Sequence, residues 1–347
     1  MPILVGMMIE RDIRGLSHRL LGQLAGGELQ DAAITCKPLT GGTEASGVTL
    51  ITARYRDDRG RARMLRFVSK ELHGRPAREA AVYEHLVNVH ARDLAPRLLA
   101  VERVGPDAAF LFLEAIRRAN AWPWRDISKG SDLLVRLAQF HMAADGAATT
   151  IPEWDYEGEL SALAEATRTV LDQCRKHPDL SVLARDVPRL DRIILARPRI
   201  RQQLLSEQPF GCRPIHGDVH PGNALVCRRG RGDETMLIDW GRARLGSPLE
   251  DVSSWLQSLG YWEPEGRRFH DTLLATYLAA SGMERRLTSS IRGAYWMAGA
   301  SNVLSGALHY HLCIARDERQ TASRRSAAFR AAADCLRVIR RAHAWWM

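Results

Sequence analysis

Through the first third of the chain, apolar and polar positions form short β-branched runs: Ile34-Thr35, Val48 to Thr52, and Met64 to Ser69. Gly41-Gly42 and Asp57-Asp58-Arg59-Gly60 separate them, and short runs between turn-forming residues read as strands of an antiparallel sheet. A helix is predicted next, because Pro76 suits a first helical turn and Ala80, Tyr83, Leu86 and Val87 recur at three- and four-residue steps. Phe110 to Glu114 reads as a further buried strand. Beyond about Arg117 the period becomes helical, at 133–141, 160–171, 273–280 and 327–343. The pattern predicts an α+β fold: a sheet-bearing N-terminal lobe with one helix over 1–116, and a larger, mainly helical lobe over 117–347.

Length and composition agree with two lobes. The 347 residues exceed one ordinary core, and 46% apolar with 26% charged residues is the mixture of a soluble globular protein. Six cysteines, Cys36, Cys174, Cys212, Cys227, Cys313 and Cys335, show no C-x-x-C or zinc-like spacing and read as reduced structural thiols. The formal charge of +9 is carried mostly by arginines scattered along the whole length, which argues against a nucleic-acid-binding arm. No stretch approaches the roughly 20 apolar residues of a spanning helix, and the N-terminal run from Ile3 to Ile9 lacks the flanks of a signal peptide. Neither a nucleic acid nor a membrane is therefore expected as partner, Trp345 and Trp346 read as packing aromatics, and the expected location is cytoplasmic.

The candidate chemistry lies in Ile215-His216-Gly217-Asp218-Val219-His220-Pro221-Gly222-Asn223 and in Met236-Leu237-Ile238-Asp239-Trp240-Gly241. Two apolar segments each deliver a carboxylate at a turn, 21 residues apart, with an asparagine five positions after the first. Phosphoryl transfer needs such groups: a base for the attacking hydroxyl, and oxygen ligands for the metal that meets phosphate charge. Asp218 suits the first task, Asn223 and Asp239 the second. These segments resemble the aminoglycoside phosphotransferase and choline kinase-like family, with H-G-D-x-x-x-x-N at 216–223 and I-D-x at 238–240. The resemblance implies a two-lobed kinase-like fold and use of ATP and Mg2+. It makes Asp218 the catalytic base and Asn223 and Asp239 the magnesium ligands, with His216 bracing the loop. His216, Asp218 and His220 could alternatively suggest metal ligands of a hydrolase, but no further scaffold of histidines or carboxylates accompanies them.

The early half carries matching parts. Lys70, one of only four lysines in an arginine-rich chain, sits in an apolar strand where an ammonium can reach phosphates. Glu79, in the family-like R-E-x-x-x-Y pattern, is its expected partner; Glu84 falls on another helix face. Gly42 and Ser46, in the turn Leu39 to Val48, are expected to approach phosphate oxygens, and Glu114 ends the strand where the hinge of such folds offers backbone groups to adenine. His141 reads as a satisfied helix histidine, and Asp251 resembles the aspartate that anchors the catalytic loop.

The expected activity is transfer of the γ-phosphoryl group of ATP to a hydroxyl of a small molecule. The competing reading is an inactive nucleotide-binding module; all five residues Lys70, Glu79, Asp218, Asn223 and Asp239 being present favours the enzyme. A protein kinase is disfavoured by the lack of D-F-G and A-P-E segments. Glu153, Asp155, Glu157 and Glu159, or Glu263 and Glu265, would suit a cationic acceptor such as an aminoglycoside or an amino alcohol, or else are solvated loop charge. Trp122, Trp124, Trp154, Tyr156, Tyr261, Trp262, Tyr295 and Trp296 would suit a sugar ring or an amino-alcohol cation, or else are core packing.

Overall fold

The computed structural model describes residues 15–16, 18–22, 30–39, 47–57, 59–146, 151–206, 210–229, 232–284 and 286–346. The chain divides into two compact units. One runs to Ala119 and also takes Cys227–Gly241; the other comprises Asn120–Val226 and the chain from Arg242 onward. The first therefore extends slightly past the division expected at 116 and recruits a stretch from the later half. Hydrogen bonding accounts for that recruitment: the Leu237 amide donates to the Leu94 carbonyl at 2.6 Å, and Cys227 forms an antiparallel bridge with Arg118.

The first unit is built on a five-stranded antiparallel sheet of β1 (Gln30–Pro38), β2 (Gly47–Arg56), β3 (Ala62–His73), β4 (Leu98–Gly105) and β5 (Ala108–Glu114), in the order β1-β2-β3-β5-β4. One face packs Ile51, Phe67, Phe110 and Phe112 against Leu16, Leu20 and Leu21. Because strand side chains alternate, Lys70 falls on the face opposite Phe67, in line with the buried Leu72. Its register neighbours are Val48 on β2 and Leu111 on β5. The helical segment after β3 opens as a tight turn at Arg75–Ala77, continues as α1 (Arg78–Val82) and widens into a π-turn over Tyr83–Val87. β4 is an edge strand whose last three residues are exposed, so its sequence carries little of the apolar run that marks β5.

Helices dominate the second unit: α2 (Ile127–Ala143), α3 (Tyr156–Gln173), α4 (Val187–Ser206), α5 (Pro248–Trp262), α6 (His270–Ala280), α7 (Ser289–Asn302), α8 (Leu308–Arg316) and α9 (Ala322–Trp346). Short strands β6 (Arg213–Ile215) and β9 (Arg244–Gly246) pair antiparallel beside the motif loop. Between them, β7 (Ala224–Arg229) and β8 (Gly232–Leu237) form a two-stranded sheet. Asp126, Asp155 and Ser247 cap α2, α3 and α5 by accepting backbone amides. The apolar period of α4 was not evident because its buried stripe, Val187, Leu190, Ile193, Arg197, Ile200, Arg201 and Leu204, includes two arginines.

Leu21→Ala removes a side chain buried under the sheet and should destabilise the protein by about 2–5 kcal/mol, read from the denaturant midpoint. An unchanged midpoint would mean that this segment does not complete the sheet's core.

Candidate active site

In the first unit, Lys70 Nζ donates to Glu79 Oε2 at 2.6 Å and to Asp239 Oδ1 at 3.0 Å. Burial works to lower the Lys70 pKa, but the charges of Glu79 and Asp239 and the hydrogen bonds to them outweigh it, so the ammonium is held above its ordinary range. Burial pushes the Glu79 carboxyl upward against the pull of the Lys70 charge. The second Glu79 oxygen accepts the Trp240 amide at 3.1 Å, which fixes the turn around Asp239. Arg78 closes that turn from the other side, donating to the Gly241 carbonyl at 2.8 Å. Glu84, the rival partner for Lys70, instead pairs with Arg103. The Glu79 side chain is 2% exposed and that of Asp239 29%, so of the two carboxylates on the lysine only Asp239 is presented to a ligand.

Asp239 is held at φ 67°, the only non-glycine among the described residues with positive φ. A side chain in that region costs about 1–2 kcal/mol, and such strain concentrates at working sites. Glu114 ends β5 with its amide donated to the Arg97 carbonyl at 2.9 Å and its carboxylate accepting the Arg97 amide at 3.3 Å. Gly42 and Ser46 lie outside the described residues.

In the second unit, the loop after β6 is shaped by its own side chains. Asn223 Nδ2 donates to both the carbonyl and the Oδ2 of Asp218, each at 3.1 Å, so its amide oxygen points elsewhere. The Asp218 amide donates to His216 Nδ1 at 3.2 Å, while His220 Nδ1 accepts the Gly222 amide at 3.0 Å. His220 Nε2 stands 3.8 Å from Asp218 Oδ2. The Asp218 side chain is 37% exposed, and its Oδ1 has no hydrogen-bond partner among the described residues. Gly217 has φ 82°, and a Cβ there would collide with the Arg242 carbonyl and the Arg244 guanidinium, so the loop requires glycine.

Beneath the loop lies Asp251, fully buried at the start of α5. Its carboxylate accepts the His216 amide at 2.7 Å and the Gly217 amide at 2.8 Å, and His141 Nε2 lies 3.2 Å away. His141 Nδ1 faces the Tyr277 hydroxyl at 2.9 Å; with the carboxylate as acceptor, the tautomer carries its proton on Nε2. Burial alone would raise the Asp251 pKa, but the hydrogen bond from His141, the electrostatic environment of the His141 and His216 rings and the Gly217 amide together hold it below the usual carboxylate range. Arg244 was missed by sequence reasoning, as one arginine among many. It donates to the Gly217 carbonyl at 3.2 Å and to Glu250 at 2.8 Å.

A cation beside a partly exposed carboxylate in one unit, and a carboxylate steadied by an asparagine in the other, are kinds of group that phosphoryl transfer uses. The profile of the phosphotransferase enzyme family (APH) matches residues 35–288, a span that contains every one of these side chains. The chain belongs to that family. As a phosphotransferase it also resembles solved kinase-like structures. The amicoumacin kinase hAmiN, in complex with AMP-PNP, Ca2+ and its ligand, aligns over 87% of this chain and 88% of its own with a TM-score of 0.56 at 16% identity. The ethanolamine kinase of Plasmodium vivax aligns over 88% and 83% with a TM-score of 0.55 at 12% identity. A complex of APH(2")-IIia with GDP and kanamycin aligns over 88% and 94%, TM-score 0.55, 17% identity. At such identities the likeness speaks to the fold. No curated protein sequence matches the chain significantly.

Among the described residues no three His, Cys, Asp or Glu side chains form a metal-holding group, and His216 of the hydrolase alternative is buried with Nδ1 already engaged by the Asp218 amide. Nor is any helix among them long and apolar enough to cross a membrane.

Asp251→Asn puts an amide against two backbone donors and should cost about 1–3 kcal/mol at neutral pH. Because the Asp251 pKa is depressed in the folded protein, its stabilisation is fully present above about pH 4, the unfolded value, and is lost as pH falls through the folded one. Denaturant midpoints between pH 2 and 7 should therefore converge for the two proteins at acid pH. A constant gap across that range would remove the charge from the explanation.

Proposed function

We propose that the protein transfers the γ-phosphoryl group of ATP to a hydroxyl of a small molecule, with Asp218 as the base. The observation that carries this reading is the Asp218 carboxylate: Asn223 occupies Oδ2, and Oδ1 remains to accept the hydroxyl proton. As that proton passes to Oδ1, the substrate oxygen bonds to the γ-phosphorus and the bond to the β-phosphate oxygen breaks, leaving ADP. Lys70, kept charged by Glu79 and Asp239, lies in the role of the phosphate-binding cation. Gly42, Ser46 and the peptide groups around Glu114 are assigned to phosphate and adenine.

Each unit carries one oxygen donor of the kind a hard divalent cation takes. Asp239 offers a carboxylate, and Asn223, with its nitrogen pinned by Asp218, offers an amide oxygen; these are the ligands Mg2+ takes. When bound, that ion neutralises phosphate charge. The related structures carry AMP-PNP with Ca2+, or GDP, and their ligands amicoumacin and kanamycin, together with an ethanolamine kinase, are the chemical neighbourhood from which the acceptor is sought.

Magnesium-dependent ADP release over a panel of hydroxyl-bearing small molecules tests the activity. Asp218→Asn should cut kcat at least about a hundredfold with nucleotide affinity nearly unchanged. Full activity in that variant would end the base assignment. Lys70→Ala should weaken ATP binding and lower kcat together, and an unchanged KM for ATP would remove the lysine from the phosphate site.

A further inference from the structure

Asp218 leaves the chain from a peptide group whose two polar ends are both held. The Gly217 carbonyl accepts Arg244 Nη1 at 3.2 Å, and the Asp218 N–H of the same peptide donates to His216 Nδ1 at 3.2 Å. A peptide group is planar, so fixing both ends fixes the plane from which the Asp218 side chain departs. The preceding peptide is pinned through the Gly217 amide by Asp251. Arg244 reaches the loop from β9, whose register sets it opposite Ile215, one residue before His216.

The guanidinium is itself aimed by its surroundings. The Arg244 side chain is 4% exposed; Nη2 donates to Glu250 Oε2 at 2.8 Å, and Nη1 also reaches the Arg242 carbonyl at 3.4 Å. It lies 3.8 Å over the Tyr156 ring and 5.8 Å from the Trp154 ring, and its Nε is buried without a partner. Glu250 gives its other oxygen to Arg201 Nε at 2.8 Å, and Arg201 and Arg197 share Glu157. Arg197, Arg201 and Arg244 are thus set against Glu157, Glu250 and the neighbouring Asp251, a group balanced in charge and not built to draw an ion.

A buried ion pair is often no more stabilising than well-packed apolar residues of similar volume. What an apolar side chain at 244 could not do is donate to the Gly217 carbonyl. The bond to the Glu250 carboxylate is the stronger of the two, and the planar fork of arginine then fixes where the second nitrogen points.

Resting on the reading of Asp218 as base, we propose that Arg244 is a positioning residue for that base. It is aimed by Glu250 and acts by holding the peptide that precedes Asp218.

The informative variant is Arg244→Lys, which keeps a charge beside Glu250 but has no fork. Its single ammonium is drawn to the carboxylate and leaves the Gly217 carbonyl. Hydrogen exchange of the full chain, read by mass spectrometry, requires neither an acceptor nor turnover. Peptides covering 215–223 should exchange at least about tenfold faster in this variant, while those from α8 and α9 are unchanged. Glu250→Gln turns one of two acceptor oxygens into a donor and should loosen the same loop with Arg244 still present. An unchanged loop in either variant, or loosening spread over the whole second unit, overturns the proposal.

In the ADP-release assay with the best acceptor of the panel, Arg244→Lys should lower kcat at least about tenfold and leave the KM for ATP within about twofold. In the Asp218→Asn background the same substitution should cost no more than about twofold further, because nothing is left to position. Losses that multiply, or an unchanged kcat in the single variant, overturn the proposal. Full activity of Asp218→Asn, or no ADP release with any acceptor, counts instead against the base reading, and the loop exchange still decides whether Arg244 holds the peptide.

Discussion

A buried carboxylate holding two adjacent backbone amides sets the shape of the loop that carries the proposed base. Asp251 receives the amides of His216 and Gly217 in a place with no solvent to replace them, so their direction is fixed as long as the helix carrying Asp251 is fixed. Buried charge of this kind is tolerable only when every partner is in place. His141 supplies the third contact and Tyr277 orients His141 in turn. The partly exposed Asp218, and the buried Asn223 that holds it, inherit their positions from the groups packed beneath the loop.

The first unit uses the same device. Glu79 is buried so that Lys70 is held from behind and the turn at Asp239 from below, because its two oxygens serve the ammonium and the Trp240 amide separately. The strained backbone at Asp239 persists because Trp240 and Gly241 are both tied down by side chains of the helical segment after β3. Precision in both units comes from carboxylates that divide their two oxygens between two neighbours.

What was legible in the sequence follows from how locally each group is defined. The stretch 216–223 is contiguous, so its carboxylate and asparagine could be read together, and Lys70 stood out as a lysine in an arginine-rich chain. The sheet and several helices were visible in their apolar periods. β4 was not, as a half-exposed edge, and neither was α4, whose stripe is interrupted by Arg197 and Arg201. The purpose of those arginines depends on Glu157 and Glu250, 40 and 49 residues away from their partners, a pairing that no spacing announces. The acids at Glu153, Asp155, Glu157 and Glu159 could be read as a cation site or as solvated charge for the same reason: the sequence shows the acids but not the guanidiniums beside Glu157 and Glu159.

The hairpin of β7 and β8 has a bearing on how this protein can be taken apart. Its closing strand is bonded to Leu94, yet in the chain it is bracketed by segments of the helical unit. Neither unit is thus a single uninterrupted length of polypeptide. A fragment ending at residue 119 would lack the strand that satisfies the Leu94 carbonyl and, with it, the aspartate that Lys70 holds, so such a truncation would leave the lysine without one of its two carboxylates.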